Sequence, residues 1–202
     1  MVTAMDPEAS SMSADLGWMA EPWPGLERVI VTASAAGYQA DGQLIMAEEE
    51  LATVRYQLRC DAGWRFTGLY ISVTGAVGRR ALAVSADSAG TWTVDGQPRP
   101  DLAGCTDIDI NCTPLTNTLP IRRIAWSPGD SHDLAVAYVS VPQLEVRAVR
   151  QRYTLLDTDE QDSGARYRYE SGSFRSDLRV DRDGWVIDYP GIWHRVGPGH
   201  AA

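Results

Sequence analysis

The densest group of polar side chains in the sequence lies between residues 104 and 123. Asp107 and Asp109 are two residues apart, so in a β-strand both carboxylates point to the same side. Paired carboxylates can share acid–base catalysis or bind a divalent cation. The pattern of a calcium-binding loop fails, because Cys112 stands where glycine is required and no glutamate follows at the required distance. We therefore expect no metal site here, and we expect hydrogen bonds that stabilise the fold or orient a ligand.

Other signatures of catalysis are missing from the sequence. Of the three histidines, His132 lies in a polar segment, His194 follows Trp193, and His200 lies near the end of the chain. None of them occurs with serine or cysteine in a recognisable hydrolase motif. The glycine-containing segment 74–78 is typical of a turn between strands rather than of a phosphate-binding loop. The sequence thus predicts no cofactor, and it favours a binding protein over an enzyme.

The aromatic side chains indicate a ligand cavity. Seven tryptophans and eight tyrosines outnumber two phenylalanines, so most rings carry a polar group. Such rings suit cavities that are apolar along the wall and form hydrogen bonds at a few points, including cavities for sugars and amphiphiles. Tyr167 and Tyr169 share one face of a predicted strand, opposite Arg166 and Arg168. Either a ligand wall or an ordinary amphipathic strand with solvated arginines explains this pattern.

The elements that must position these residues are mainly strands. From Leu26 onward, short β-branched or aromatic runs alternate with glycine, proline, aspartate and asparagine, which is typical of strands and turns. Asp95-Gly96 and Asp183-Gly184 predict tight turns, because Asp-Gly supplies the positive backbone angles that short hairpins require. Asp41-Gly42 and the segment 127–130 predict two further turns.

Alternation of apolar and polar residues predicts about a dozen strands, more than a single flat sheet usually contains without curling or splitting. Helical periodicity is scarce. Thr113-Pro114 predicts a short helix that ends near Thr118, because Pro120 follows. The predicted fold is therefore all-β, with minor helical turns.

The composition indicates the domain organisation and the partners. Residues 1–15 predict a disordered leader, 16–198 a single β domain, and 199–202 a flexible tail. The net charge of −9 argues against a nucleic-acid partner or an anionic membrane. No signal peptide and no apolar run of about 20 residues is present, so we expect a cytoplasmic protein without a membrane span. In that compartment the three cysteines are expected to be free, buried thiols.

Several local strings resemble the glycolipid-binding family, a bacterial family described as a domain of unknown function. The resemblance extends from about Trp23 to Val196. The strings that carry it are residues 58–64 (LRCDAGW), 91–96 (TWTVDG), 104–109 (GCTDID), 113–123 (TPLTNTLPIRR), 151–153 (QRY) and 188–191 (DYPG). The resemblance implies a large, curled antiparallel sheet that forms a partly open barrel, similar in shape to bacterial lipoprotein carriers.

The main functional hypothesis is a binding or carrier protein for a small amphipathic, glycolipid-like molecule. In it, the curled sheet encloses an apolar hollow, and arginine, asparagine and tyrosine side chains meet a polar head group. The residues expected to bind the ligand are Trp64, Asn117, Arg122, Arg123, Tyr138, Gln151, Tyr153, Tyr167 and Tyr169.

Two alternatives remain open. The first is an enzyme that acts on a sugar-like or lipid-like substrate and uses Asp107 and Asp109 as its acid–base pair. The second is a protein-interaction module whose exposed strand edges pair with another chain. The sequence does not indicate the oligomeric state.

Overall fold

The computed structural model describes residues 13–48, 50–159 and 164–197. Within them one sheet of fifteen strands accounts for most of the chain, which confirms the all-β prediction. The strands are β1 Ala14–Ala20, β2 Gly25–Ser34, β3 Gly37–Ala47, β4 Leu51–Cys60, β5 Phe66–Gly75, β6 Gly78–Ala86, β7 Trp92–Val94, β8 Gln97–Pro98, β9 Asp107–Ile110, β10 Ser131–Ser140, β11 Glu145–Asp159, β12 Gly164–Ser171, β13 Phe174–Val180, β14 Val186–Tyr189 and β15 Trp193–Val196. Two 3-10 turns, Pro100–Leu102 and Leu115–Asn117, and one helix, α1 Thr118–Arg123, complete the described elements.

The terminal segments are only partly covered. Residues 1–12 of the predicted leader and the whole predicted tail, 199–202, lie outside the described residues. Ala14 and Asp15, which the prediction placed in the leader, belong to β1. Neither α1 nor the 3-10 turns in the described part of the chain are long and apolar enough to span a membrane.

The strand order explains the curled shape. Across the sheet the order is β8 to β1, followed by β15 to β9, and every neighbouring pair is antiparallel except β9 with β10. The two edge strands, β8 and β9, are therefore joined by a short connection, residues 99–106. Hydrogen bonds hold this connection to β10 and β11, from Thr106 N to Ala135 O (2.9 Å) and from Arg99 Nη2 to Val146 O (2.8 Å). No ladder joins β8 to β9 in the described residues, so the barrel is partly open.

Alternation along the strands places the core on the concave side of the sheet. In β4, Val54, Tyr56 and Leu58 are buried, whereas Arg55 and Arg59 on the other face of the strand are exposed. Burying a large apolar side chain stabilises the fold by roughly 1.5–3 kcal/mol, and most of the longer strands contribute two or more such residues. The three cysteines, predicted to be free, are free and buried.

The Asp-Gly turn predictions have mixed outcomes. Asp95-Gly96 forms the predicted hairpin between β7 and β8, with positive φ at both residues (48° and 75°). The prediction for Asp41-Gly42 is wrong, because both residues lie in the middle of β3. Gly42 serves a different purpose there. A Cβ atom at this position would lie 2.1 Å from the ring of Tyr56, so the absence of a side chain makes room for that ring.

A segment of residues 112–123, the central segment, fills much of the space that the sheet surrounds. Residues 112–121 are all buried. The prediction that Pro120 ends the helix is wrong, since α1 continues to Arg123. Pro120 is the third residue of α1, where the backbone N–H has no partner within the helix, so proline costs no helical hydrogen bond.

Side-chain contacts fix the central segment to several strands. Arg123 forms a buried, two-point ion pair with Asp107 of β9, with Nε–Oδ1 and Nη2–Oδ2 distances of 3.1 and 2.5 Å. Only 1% of the Asp107 side chain and 13% of the Arg123 side chain are exposed. Thr118 donates a hydrogen bond to the carbonyl of Gly184 (3.0 Å) in the loop between β13 and β14.

Replacement of Asp107 by asparagine is expected to destabilise the protein by about 3–5 kcal/mol, because it leaves the Arg123 guanidinium without a compensating charge in a buried place. Urea unfolding measures the change. Asp133→Asn is the matched control, since Asp133 pairs with Arg152 at 2.7 Å while both side chains are more than half exposed. The control is expected to cost no more than about 1 kcal/mol. Equal, small losses for both variants would contradict the anchoring role of Asp107.

A buried acid lies on the opposite side of the central segment. Glu27 of β2 is fully buried, and its Oε1 accepts a hydrogen bond from the Tyr56 hydroxyl at 2.7 Å. That hydroxyl lies 3.3 Å from Oγ1 of Thr113. The second oxygen, Oε2, has no hydrogen-bond partner among the described residues. Burial raises the pKa of Glu27 to about 8, although the hydrogen bonds from Tyr56 and Thr113 lower it.

The free energy of unfolding is therefore expected to depend on pH through Glu27. Between about pH 4.5 and 8 the folded chain retains the proton that the unfolded chain has lost, so stability falls as pH rises through this window and levels off above it. One group contributes at most about 1.4 kcal/mol per pH unit. Urea unfolding across the window should show a shallower slope for Glu27→Gln than for the unsubstituted chain. The exposed Glu145→Gln is the control that should keep the slope, and parallel curves for all three proteins would refute the assignment.

Candidate ligand-binding site

A cavity of about 350 Å³ lies between the central segment and the concave side of strands β9 to β15. Its lining combines polar and aromatic side chains. The lining residues are Asp109, Ile110, Asn111, Thr113, Asn117, Tyr138, Arg147, Val149, Tyr169, Ser171, Phe174, Tyr189, Ile192 and Trp193. The parallel β9–β10 pair and the antiparallel β10–β11 pair set the register, so Asp109, Tyr138 and Arg147 occupy opposite positions on three adjacent strands.

Asp109 is held by several donors. Its Oδ1 accepts a hydrogen bond from the Thr116 hydroxyl (2.9 Å), and its Oδ2 accepts one from the Gln151 amide (2.6 Å). Burial raises the pKa of Asp109, while hydrogen bonds from Gln151, Thr116 and Tyr169 lower it. These hydrogen bonds fix the orientation of the carboxyl group, and they partly offset the effect of burial on its pKa.

Two hydrogen bonds to groups outside the lining fix the orientation of the Asn117 side chain. Its Oδ1 accepts a hydrogen bond from the Tyr153 hydroxyl (2.8 Å), and its Nδ2 donates one to the carbonyl of Pro114 (3.3 Å). An amide nitrogen has two hydrogens, so one N–H remains for a ligand. Tyr153 is only 2% exposed, and its role here is to position the amide.

Aromatic rings form the wall. Tyr169 lies 6.1 Å from Tyr189 and 6.0 Å from Phe174, measured between ring centroids. Burial raises the pKa of Tyr138 and of Tyr189, so both phenols stay protonated at neutral pH. Within the described part of the chain, neither of these two hydroxyls has a hydrogen-bond partner. Both are therefore available to donate to, or accept from, a bound molecule.

Among the described residues that line the cavity, Arg147 is the one cationic side chain. It is exposed, and its guanidinium carbon lies 5.0 Å from the centroid of the Tyr138 ring. This distance is typical of a cation–π contact, which leaves the N–H groups at the edge of the guanidinium free to donate hydrogen bonds. Arg147 thus forms a charged part of the rim.

The structure brings together some of the residues predicted from the sequence and separates others. Asn117, Tyr138 and Tyr169 line the cavity, as does Asp109 of the alternative pair. Gln151 and Tyr153 lie behind the lining and orient Asp109 and Asn117. Tyr167 is buried elsewhere and packs edge-to-face on Trp126, with 5.1 Å between centroids. Arg123 and Asp107 are paired with each other outside the lining.

Trp64 and Arg122 belong to a separate cluster. The Arg122 guanidinium carbon lies 4.7 Å from the Trp64 ring centroid and 5.8 Å from that of Trp185, and Tyr38 stacks on Trp64 with a centroid distance of 4.0 Å. Trp64 has a φ of 63°, in the region that favours glycine. Its loop, residues 61–65, forms the same hydrogen bonds as residues 181–185, where Gly184 holds the equivalent position with a φ of 77°. The ring contacts compensate for the strained backbone.

The expected apolar hollow with Arg122 and Arg123 at its polar end is not what the structure shows. The central segment occupies much of the interior, and the remaining cavity has a polar floor and an aromatic wall. Sequence reasoning missed Arg147, Phe174, Tyr189 and Trp193. The sequence contains one indication of Arg147. Every second residue from Arg147 to Tyr153 lies on the same face of β11, so Arg147 shares a face with the predicted site residues Gln151 and Tyr153.

Comparisons with known proteins agree with this architecture. A family model with the description "Putative glycolipid-binding" matches residues 15–195. Among solved structures, the crystal structure of a DUF1089 family protein from Pseudomonas aeruginosa is 34% identical in sequence and superimposes with a TM-score of 0.75, over 97% of this chain and 99% of that one. No curated protein matches the chain in sequence. Since this family model spans every strand in whole or in part, the chain belongs to the family described as "Putative glycolipid-binding".

Proposed function

We propose that the protein binds the polar, hydroxyl-bearing head group of an amphipathic, glycolipid-like molecule in the cavity that contains Asp109. The observation that carries this proposal is the combination of a fixed hydrogen-bonding floor, Asp109 and Asn117, with an aromatic wall that includes two free phenol hydroxyls. A sugar ring has hydroxyl groups at its edge and apolar C–H groups on its faces. The polar floor can form hydrogen bonds with the hydroxyl groups, and the aromatic wall can pack against the C–H faces.

The size of the cavity supports a head group rather than a whole lipid. Its volume of about 350 Å³ is near the lower end of the range for small-molecule sites. Phe174 lines the cavity and is 41% exposed, so it offers an apolar surface to the first part of a tail that leaves the cavity. In this proposal the cavity holds the head group, whereas the sequence suggested that it encloses the acyl chain.

Binding is better supported than catalysis by an aspartate pair. Glycoside hydrolysis commonly requires two carboxyl groups on opposite sides of the scissile bond. Asp109 lines the cavity, but Asp107 is buried in its ion pair with Arg123 and does not. A cytoplasmic location, a carrier role and the lack of a nucleic-acid partner stay predictions from the sequence.

Titration with octyl β-D-glucoside, below the concentration at which it forms micelles, tests the proposal. The unsubstituted chain is expected to bind this sugar amphiphile more tightly than tetraethylene glycol monooctyl ether, which has the same tail and no sugar. Tyr189→Phe and Tyr138→Phe each remove one hydroxyl and should weaken binding of the glucoside about threefold to tenfold, as expected for one lost hydrogen bond.

The matched control is Tyr70→Phe. Tyr70 is 47% exposed, and its hydroxyl accepts a hydrogen bond from Arg79 at 3.2 Å, on the convex face of the sheet. This variant should bind the glucoside as the unsubstituted chain does. Equal affinity for the two amphiphiles, or unchanged affinity in both cavity variants, would rule out sugar recognition at this site.

A further inference from the structure

Arg147 differs in its partners from three other arginines of β11 and β12. On β11 and β12, Arg152 pairs with Asp133 at 2.7 Å, Arg166 with Asp157 at 2.5 Å, and Arg168 with Asp177 at 2.8 Å. In the described residues no carboxylate lies within ion-pair distance of Arg147, and its contact is the face of the Tyr138 ring. A guanidinium in this state has free N–H groups in the geometry that matches a carboxylate or a phosphate.

The other titratable groups of the lining do not neutralise Arg147. Asp109 directs both carboxyl oxygens to Thr116, Gln151 and Tyr169. The lining tyrosines remain neutral at physiological pH, because burial raises the pKa of Tyr138, Tyr169 and Tyr189. Among the described residues Arg147 thus keeps an unpaired positive charge at the rim, in a protein whose net charge is −9.

The register sets how far the cation lies from the floor. Asp109 and Arg147 are on strands separated by the single strand β10, with Tyr138 between them. Neighbouring strands are about 4.8 Å apart, so the two backbones are roughly 10 Å apart. A sugar ring that contacts Asp109 and Asn117 therefore extends toward the rim, and a substituent on its far side reaches the guanidinium.

We infer that the head group bound in this cavity carries an anionic substituent, a carboxylate or a phosphate, which pairs with Arg147. This inference rests on the proposed function, because it assigns a role at the same cavity. It narrows the ligand class from sugar amphiphiles in general to acidic ones. The contact with Tyr138 holds the guanidinium in place before the ligand arrives, which lowers the entropic cost of forming the pair.

Three amphiphiles with the same tail test the inference: octyl β-D-glucoside, octyl β-D-glucuronide and octyl β-D-glucoside 6-phosphate. The first is neutral, the second carries a carboxylate and the third a phosphate. The unsubstituted chain is expected to bind at least one acidic amphiphile about tenfold more tightly than the glucoside. Comparing the two acidic compounds identifies which anion fits. Added salt should reduce the preference, since the rim is exposed.

Two variants and one control assign the preference to a residue. Arg147→Gln should abolish the preference for the acidic amphiphile over the neutral glucoside. Arg147→Lys should restore part of it, because lysine keeps the charge and loses the two-point geometry. Arg150→Gln is the control, since Arg150 is exposed on the same strand and faces the opposite side of the sheet. It should keep the full preference.

The outcomes separate this inference from the proposed function. If the glucoside binds and neither acidic amphiphile is preferred, or if Arg147→Gln keeps the preference, the anionic substituent is refuted while sugar binding stands. If none of the three amphiphiles binds, both the inference and the proposed function fail.

Discussion

The fold depends on the insertion of residues 112–123 into the concave side of the sheet. A sheet of fifteen strands that curls without closing surrounds more space than its own side chains fill. The central segment fills this space with the buried residues 112–121, and polar contacts define its position. The Arg123–Asp107 ion pair fixes one end, the Thr113–Tyr56 contact fixes the other, and the Asn117–Tyr153 hydrogen bond lies between them. Buried polar contacts of this kind tolerate few alternative positions, because a displaced partner leaves an unsatisfied group.

The same insertion determines the character of the cavity. One cavity remains between the central segment and β9 to β15, and several of the groups that face it are not used by the packing. They include the free N–H of Asn117, the hydroxyls of Tyr138 and Tyr189, and the guanidinium of Arg147. An enclosed acyl chain would require an apolar lining, whereas these groups suit a hydroxyl-rich and anionic head group. Because the central segment fills much of the barrel, we expect the cavity to contact the head group of the ligand and not its tail.

The buried acids on the two sides of the central segment have different partners and different consequences. Asp107 has a full counter-charge and is expected to stabilise the chain only while that pair is intact. Glu27 has a hydroxyl partner for one oxygen and none among the described residues for the other, and burial raises its pKa to about 8. Its protonated form is therefore part of the folded structure at neutral pH. Asp109 lies between these cases, since three donors partly offset its burial and its carboxyl group still faces the cavity.

The sequence by itself determined the features that depend on neighbours along the chain. Alternation predicted the strands and the buried face, Asp95-Gly96 predicted a hairpin, and the spacing of Asp107 and Asp109 placed them on one face. The family motifs indicated the curled, partly open sheet. Tertiary structure decided the rest. Gly42 makes room for the ring of Tyr56 on the next strand and does not form a turn. The register of β9, β10 and β11 places Arg147 at the rim of the cavity, whereas Arg122 and Arg123 lie elsewhere. Such cross-strand contacts join residues far apart in the chain, so no local pattern in the sequence specifies them.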